Sequence, residues 1–227
     1  MLEHNQIIKE SWGFFRENLF EIIKFMLPII IITSIISDLL VTFLPMEAHG
    51  KNDEINWWAS YAYFLIKTNF YALDVALFLH FMKNYFDDTQ LNAKQLLISF
   101  APRFLSLLLL TSLAASFIFL GLILMIIPGL WLALRFSYAW MYFTFEKLNP
   151  FVSLYKSFKE TGDDLVLIIK SFVVIVLPFT FVVIFYILIV GSLLNNFLTI
   201  FTLSILSSVV FLFLQVVLFR IYSQYGH

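Results

Sequence analysis

Residues 126–165, IIPGLWLALRFSYAWMYFTFEKLNPFVSLYKSFKETGDDL, join three kinds of element: an apolar reversal, an apolar run with a charge inside it, and an amphipathic helix. Proline withdraws a helix donor and glycine tolerates a turn, so Pro128 and Gly129 are expected to make the turn of a helical hairpin. Arg135 then lies within the second apolar run, which closes at Glu146 and Lys147. Asn149 and Pro150 have the character of an N-cap and a first helical residue, which predicts a surface helix ending near Gly162.

Composition places the whole chain in the same class. Of 227 residues, 61% are hydrophobic, 19% aromatic and only 13% charged; the mean hydropathy is +0.92. A soluble domain of this length carries about twice the charged fraction. The reading is an all-α polytopic membrane bundle, one integral domain over residues 1–227. A net charge of -1 gives no case for nucleic acid, which calls for a basic patch. Cysteine is absent, so disulfides, thiolate metal sites and cysteine nucleophiles are excluded, and no cofactor is expected.

In chain order, Ile8, Trp12, Phe15 and Leu19 fall at helical spacing, predicting an amphipathic helix that lies on the membrane surface or caps the bundle. No basic start, compact apolar core and small-residue cleavage site precede Phe20, so this segment is expected to be retained. The first span covers residues 19–44, with Pro28 inside it and Asp38 near its far end. A polar loop leads to Trp57 and Trp58, aromatic rings of the kind that sit at headgroup level. They open a second span ending near Met82 and interrupted by Lys67, Asn69, Asp74 and His80. After a polar connection over residues 83–103, a third span runs to Ile127 and a fourth returns through Trp131 and Arg135 to Glu146. A fifth runs from Leu165 to Val190. A turn at Asn195 and Asn196 leads to a sixth that ends near Tyr222. The expectation is about six transmembrane helices in three hairpins, each preceded by an amphipathic interfacial helix.

The order of Ile127, Pro128 and Gly129, an apolar span, an acidic exit at Glu146 and a helix containing Ser157 resembles the YciC-like family of bacterial inner-membrane proteins. The segment SWGFFRENLF, Ser11 to Phe20, is similar to the aromatic, arginine-containing opening of that family. The resemblance extends over nearly the whole chain and implies an integral inner-membrane protein; it carries no catalytic residues with it.

Ser11, Ser99 and Ser157 each precede an aromatic residue shortly before a span. From Ser11 and Ser157, the Ile-Ile-Lys runs at 22–24 and 168–170 fall in register. This is either a degenerate repeat or coincidence in a chain rich in Ile, Leu and Phe. Placing both termini in the cytoplasm puts Lys9, Arg16, Lys24, Lys83, Lys94, Arg103, Lys147, Lys156, Lys159, Lys170 and Arg220 on that side. Lys51 alone falls outside, and Lys67 and Arg135 lie within spans. The positive-inside rule therefore selects this orientation.

Chemistry is confined to Asp38, Lys67, Tyr71, Asp74 and Arg135. A charge at mid-membrane costs about 2.5 to 3.5 kcal/mol, so pairing is expected. Lys67, Tyr71 and Asp74 share one helical face. Asp38 and Arg135 are expected to pair, being of opposite charge and similar depth. Two readings fit these residues: they tie hairpins together, or they line a polar cavity for a headgroup, ion or proton. No metalloprotease helix, nucleophile elbow or phosphate loop is present, and no enzyme is expected. The functional expectation is envelope maintenance through lipid or amphiphile handling, with membrane lipids as partners. The alternative is a scaffold for other envelope membrane proteins.

Overall fold

A computed structural model describes residues 4–43, 56–86, 93–189 and 196–224, and every regular element among them is helical. In order these are α1 (His4–Glu17), α2 (Leu19–Thr42), α3 (Trp57–Phe86), α4 (Ala93–Phe100), α5 (Phe104–Leu124), α6 (Ile126–Arg135), α7 (Ala139–Phe145), α8 (Pro150–Ile189) and α9 (Asn196–Gln224). A 3-10 turn, Ala101–Arg103, joins α4 to α5. Among the described residues, five helices are long and apolar enough to cross a membrane: Leu19–Thr42, Trp57–Phe86, Leu97–Leu124, Pro150–Ile189 and Phe201–Ser223. The loop after α2, including Ala48 and Lys51, lies outside the described residues, as do Gln90, Val190 and Asn195.

Two compact units form, one from Met1–Ile31 with Glu160–His227, the other from Ile32–Lys159. In the first, α1 packs on α9. Phe213 meets Trp12 and Phe15 edge-on, with ring centroids 5.7 and 5.5 Å apart, and Glu10 is ion-paired with Arg220 at 3.6 Å. The buried face of α1 is Ile7, Ser11 and Phe15, while Trp12 is half-exposed. This rotates the expected stripe by one residue: the small Ser11, fully buried, permits the close approach that an indole at that position blocks.

The second unit holds α3, α4, α5, α6 and α7. Asn56 caps α3, its Oδ1 accepting from Ala59 N at 3.1 Å. Between α5 and α6 the chain reverses at one extended residue, Met125, with φ -164° and ψ 150°. Pro128 and Gly129 are therefore not the turn itself. Pro128 sits in the first turn of α6, where a missing N–H removes no helical bond. Gly129 faces Gly121, and a Cβ built on Gly121 would stand 2.8 Å from Gly129 Cα. The two glycines let the helices touch backbone to backbone.

Where one continuous fourth span is expected, the helix breaks over Phe136–Tyr138 into α6 and α7. Aromatic-rich sequence is a weak helix former, and α7 is buried: Tyr138, Ala139, Met141, Tyr142 and Phe143 are almost fully enclosed. Tertiary burial, not helical propensity, holds it. The cap at Asn149 is present, Oδ1 accepting from Val152 N at 2.9 Å. The helix it starts does not end near Gly162 but continues for 40 residues to Ile189. Nothing after Gly162 stops it, because the apolar run from Leu165 follows at once.

Candidate functional site

The intramembrane polar residues come together on α2 and α3, and their pairing differs from the one expected. Lys67 is ion-paired with Asp38 and also donates to Ser37 Oγ at 3.2 Å. Asp38 does not meet Arg135. Seven residues along α3, Asp74 accepts from Thr33 Oγ1 on both carboxylate oxygens, at 3.0 and 3.2 Å. The two contacts run antiparallel, Thr33 with Asp74 and Asp38 with Lys67. The stripe on α3 is thus met by Thr33, Ser37 and Asp38 on α2, and Tyr71 lies half-buried between. Asp74 is only 4% exposed, and the Oδ2 of Asp38 has no hydrogen-bond partner among the described residues.

Arg135 finds other company. Its guanidinium lies 5.0 Å from the Trp131 ring centroid and 5.5 Å from that of Phe158, and Nη1 donates to the Phe158 carbonyl at 3.2 Å. Ser157 Oγ in turn donates to the Arg135 carbonyl at 2.7 Å. A delocalised, weakly hydrated cation is well suited to aromatic faces and a carbonyl. The contact stitches the end of α6 to the start of α8.

A cavity of about 260 Å³ opens between the start of α3 and the end of α5, lined by Trp57, Trp58, Tyr61, Ser116, Phe119, Leu120 and Ile123. Its walls are apolar apart from one polar point, where Tyr61 OH and Ser116 Oγ are 2.7 Å apart. The proton order can be worked out. Ser116 Oγ donates to the Ser112 carbonyl at 2.6 Å, so Tyr61 donates to Ser116, and the phenolic oxygen keeps its acceptor capacity. Trp58 is 82% exposed at the rim. Asn69 Nδ2 bonds Ser112 Oγ at 3.2 Å, a second polar tie between α3 and α5.

Neither Tyr61 nor Ser116 is singled out by sequence reasoning. Their signal was present in two pieces: Tyr61 lies one turn after Trp57, and Ser116 one turn after Ser112. A run of leucine and phenylalanine does not say which face a serine takes. Comparison of the chain with protein-family models, curated proteins and solved structures gives no match.

Proposed function

We propose that this is a non-enzymatic integral protein of the bacterial inner membrane that binds lipids or related amphiphiles and thereby supports the envelope. The observation that carries the reading is the apolar cavity beside Trp57 and Trp58. A dry apolar cavity of about 150 Å³ is enough to take up benzene, so about 260 Å³ accommodates a longer section of an acyl chain. Moving a chain from bilayer to protein yields no hydrophobic gain, since both are equally apolar. Selectivity must come from the polar point, where the Tyr61 oxygen accepts from a hydroxyl or ammonium of the amphiphile. The tryptophans belong at headgroup level, where such a group resides.

The Asp38–Lys67 and Thr33–Asp74 contacts support the structural reading of the polar stripe, because each charged group is met by a partner on the facing helix. The lipid site is therefore assigned to the cavity. We take α6 and α7 together as a broken fourth crossing, which brings the count to six and gives three hairpins with both termini cytoplasmic. The apolar surface of α8, exposed at Val173, Leu177, Phe181, Phe185 and Leu188, favours a second reading in which this helix docks another envelope membrane protein.

The test compares purified protein with Ser116→Leu, which fills the cavity, and Tyr61→Phe, which removes the hydroxyl. Retained lipid is measured by mass spectrometry and lipid movement in reconstituted vesicles. Ser116→Leu is expected to lose bound lipid, and Tyr61→Phe to keep lipid but lose headgroup preference. Unchanged lipid content and movement in both folded variants would remove this function and leave the docking reading.

A further inference from the structure

At the end of α3 and α5 remote from the cavity, two cations converge on the end of α7, and a third follows that helix in sequence. Arg103 donates through Nη1 to the Phe143 carbonyl at 2.7 Å and through Nη2 to the Leu148 carbonyl at 3.1 Å. Its guanidinium carbon lies 4.0 Å from the Phe143 ring centroid. Lys83 Nζ reaches the Phe145 carbonyl at 3.4 Å. Lys147 stands between those carbonyls in sequence, is exposed, and has a φ of 55°. All three lie within electrostatic reach of His80. The adjacent carboxylate, Glu146, is engaged by Lys156 Nζ at 2.8 and 2.7 Å. Asp87 and Asp88, the next carboxylates in sequence, lie outside the described residues.

We propose that Lys83, Arg103 and Lys147 bind the phosphate of an anionic lipid headgroup. Capping of α7 uses only two of the five N–H donors of Arg103 and one of the three on Lys83. The remainder can serve a ligand. Lys147 occupies a left-handed backbone conformation that glycine or asparagine adopts freely and that costs other residues about 1 to 2 kcal/mol. Strain of that kind gathers at binding sites, and here it falls on an exposed lysine that lies in sequence between the Phe145 and Leu148 carbonyls held by Lys83 and Arg103. The surroundings fit a lipid better than a free ion. Tyr85 and Phe86 at the end of α3, Leu97 and Ile98 on α4, and Phe104 and Leu105 at the start of α5 are all exposed apolar side chains. They give acyl chains a surface next to the cations. Anionic lipids are also the species that basic clusters at a cytoplasmic interface attract.

The experiment titrates the purified full chain in detergent with phosphatidylglycerol, phosphatidylcholine and inorganic phosphate, reading bound ligand by native mass spectrometry and melting temperature. The wild type is expected to prefer phosphatidylglycerol. Lys83→Gln with Lys147→Gln is expected to lower that preference about twenty-five-fold, at about fivefold for each lysine. Arg103 is left in place because it caps α7. Lys147→Gly relaxes the backbone while removing the charge, so it is expected to melt higher and yet lose preference; a purely structural Lys147 changes only the melting. Lys159→Gln, on an exposed part of α8, is expected to leave the preference unchanged. Retained preference in the double variant, equal loss in Lys159→Gln, or inorganic phosphate binding as tightly as phosphatidylglycerol overturns the proposal.

Discussion

Lys67 on α3 is ion-paired with Asp38 on α2, while Arg135, a second cation inside the apolar segments, stacks on Trp131 and Phe158. The two cations thus make contacts of different kinds. An ammonium is compact and strongly hydrated and needs an anion when it leaves water, whereas a guanidinium can stack.

The pairing has a thermodynamic signature. Lys67→Met and Asp38→Asn are each expected to destabilise the detergent-solubilised protein by about 2 kcal/mol, below the figure for a dry pair because both side chains keep some solvent access. The double variant is expected to fall well short of the sum, since neither change then strands a charge. Arg135→Met combined with Asp38→Asn is expected to be additive within about 0.5 kcal/mol. Thermal unfolding of the wild type, the three single variants including Arg135→Met alone, and the two double variants decides it. Additivity for Lys67 with Asp38, or coupling for Arg135 with Asp38, reverses the assignment.

Much of this organisation was legible in the sequence because it follows from hydropathy and capping chemistry. Asn149 could be read as a cap because asparagine before proline has few other uses at the edge of an apolar run, and its side chain does accept from Val152 N. The partner of Asp38 was not legible. Depth along a span is estimated from residue number, but Arg135 lies at the end of a helix that begins anew at Ile126 and stops ten residues later, so its estimated depth had no fixed origin. The stripe on α1 was not legible either, because hydropathy favours the large Trp12 on the buried face, while the close approach there is set by the small Ser11. The register between Ser11 and Ser157 is matched by burial: Ile7, Ser11, Phe15 and Ile22 are buried on α1 and α2, and the residues 146 positions on, Ser153, Ser157, Thr161 and Ile168, are buried on α8.

The glycines make predictions of opposite sign. Gly121→Ala pushes a methyl to 2.8 Å from the Gly129 backbone. Even after a gain of about 1 kcal/mol in helix propensity, a net loss of about 1 to 2 kcal/mol is expected. Gly13→Ala meets nothing within 4 Å and is expected to stabilise by up to about 1 kcal/mol. Melting temperatures that shift in the same direction for both variants contradict the close α5–α6 contact.

Removing the cap at Asn149 tests whether the start of α8 folds on its own terms. Asn149→Ala leaves Val152 N without its side-chain acceptor, at a cost of about 1 kcal/mol. Asn149→Asp is expected to retain most of the stability, because a carboxylate accepts the same bond and favours a helix N-terminus. No loss in Asn149→Ala, followed by thermal unfolding, shows that the cap contributes nothing there; equal loss in both variants shows that the accepted bond is not what stabilises the start of α8.

The last prediction concerns the crossing by α6 and α7. α5 has 21 residues, and Ile126–Phe145, counted through the break, is of nearly equal length; at about 1.5 Å per residue each matches about 30 Å of hydrocarbon. Gly121 and Gly129 hold the two arms together at one end, and Arg103, just before α5, bonds the Phe143 carbonyl near the end of α7 at the other. The returning arm therefore finishes where the outgoing arm began. If α6 and α7 cross, position 159 is expected on the same side of the membrane as position 90 and opposite position 48. The chain has no cysteine, so single replacements at Ala48, Gln90 and Lys159 can be labelled with a membrane-impermeant thiol reagent from the periplasmic side. Labelling is expected at position 48 alone. Labelling at positions 48 and 159 together means that α6 and α7 do not cross, leaves an odd number of crossings, and moves the C-terminus to the periplasm.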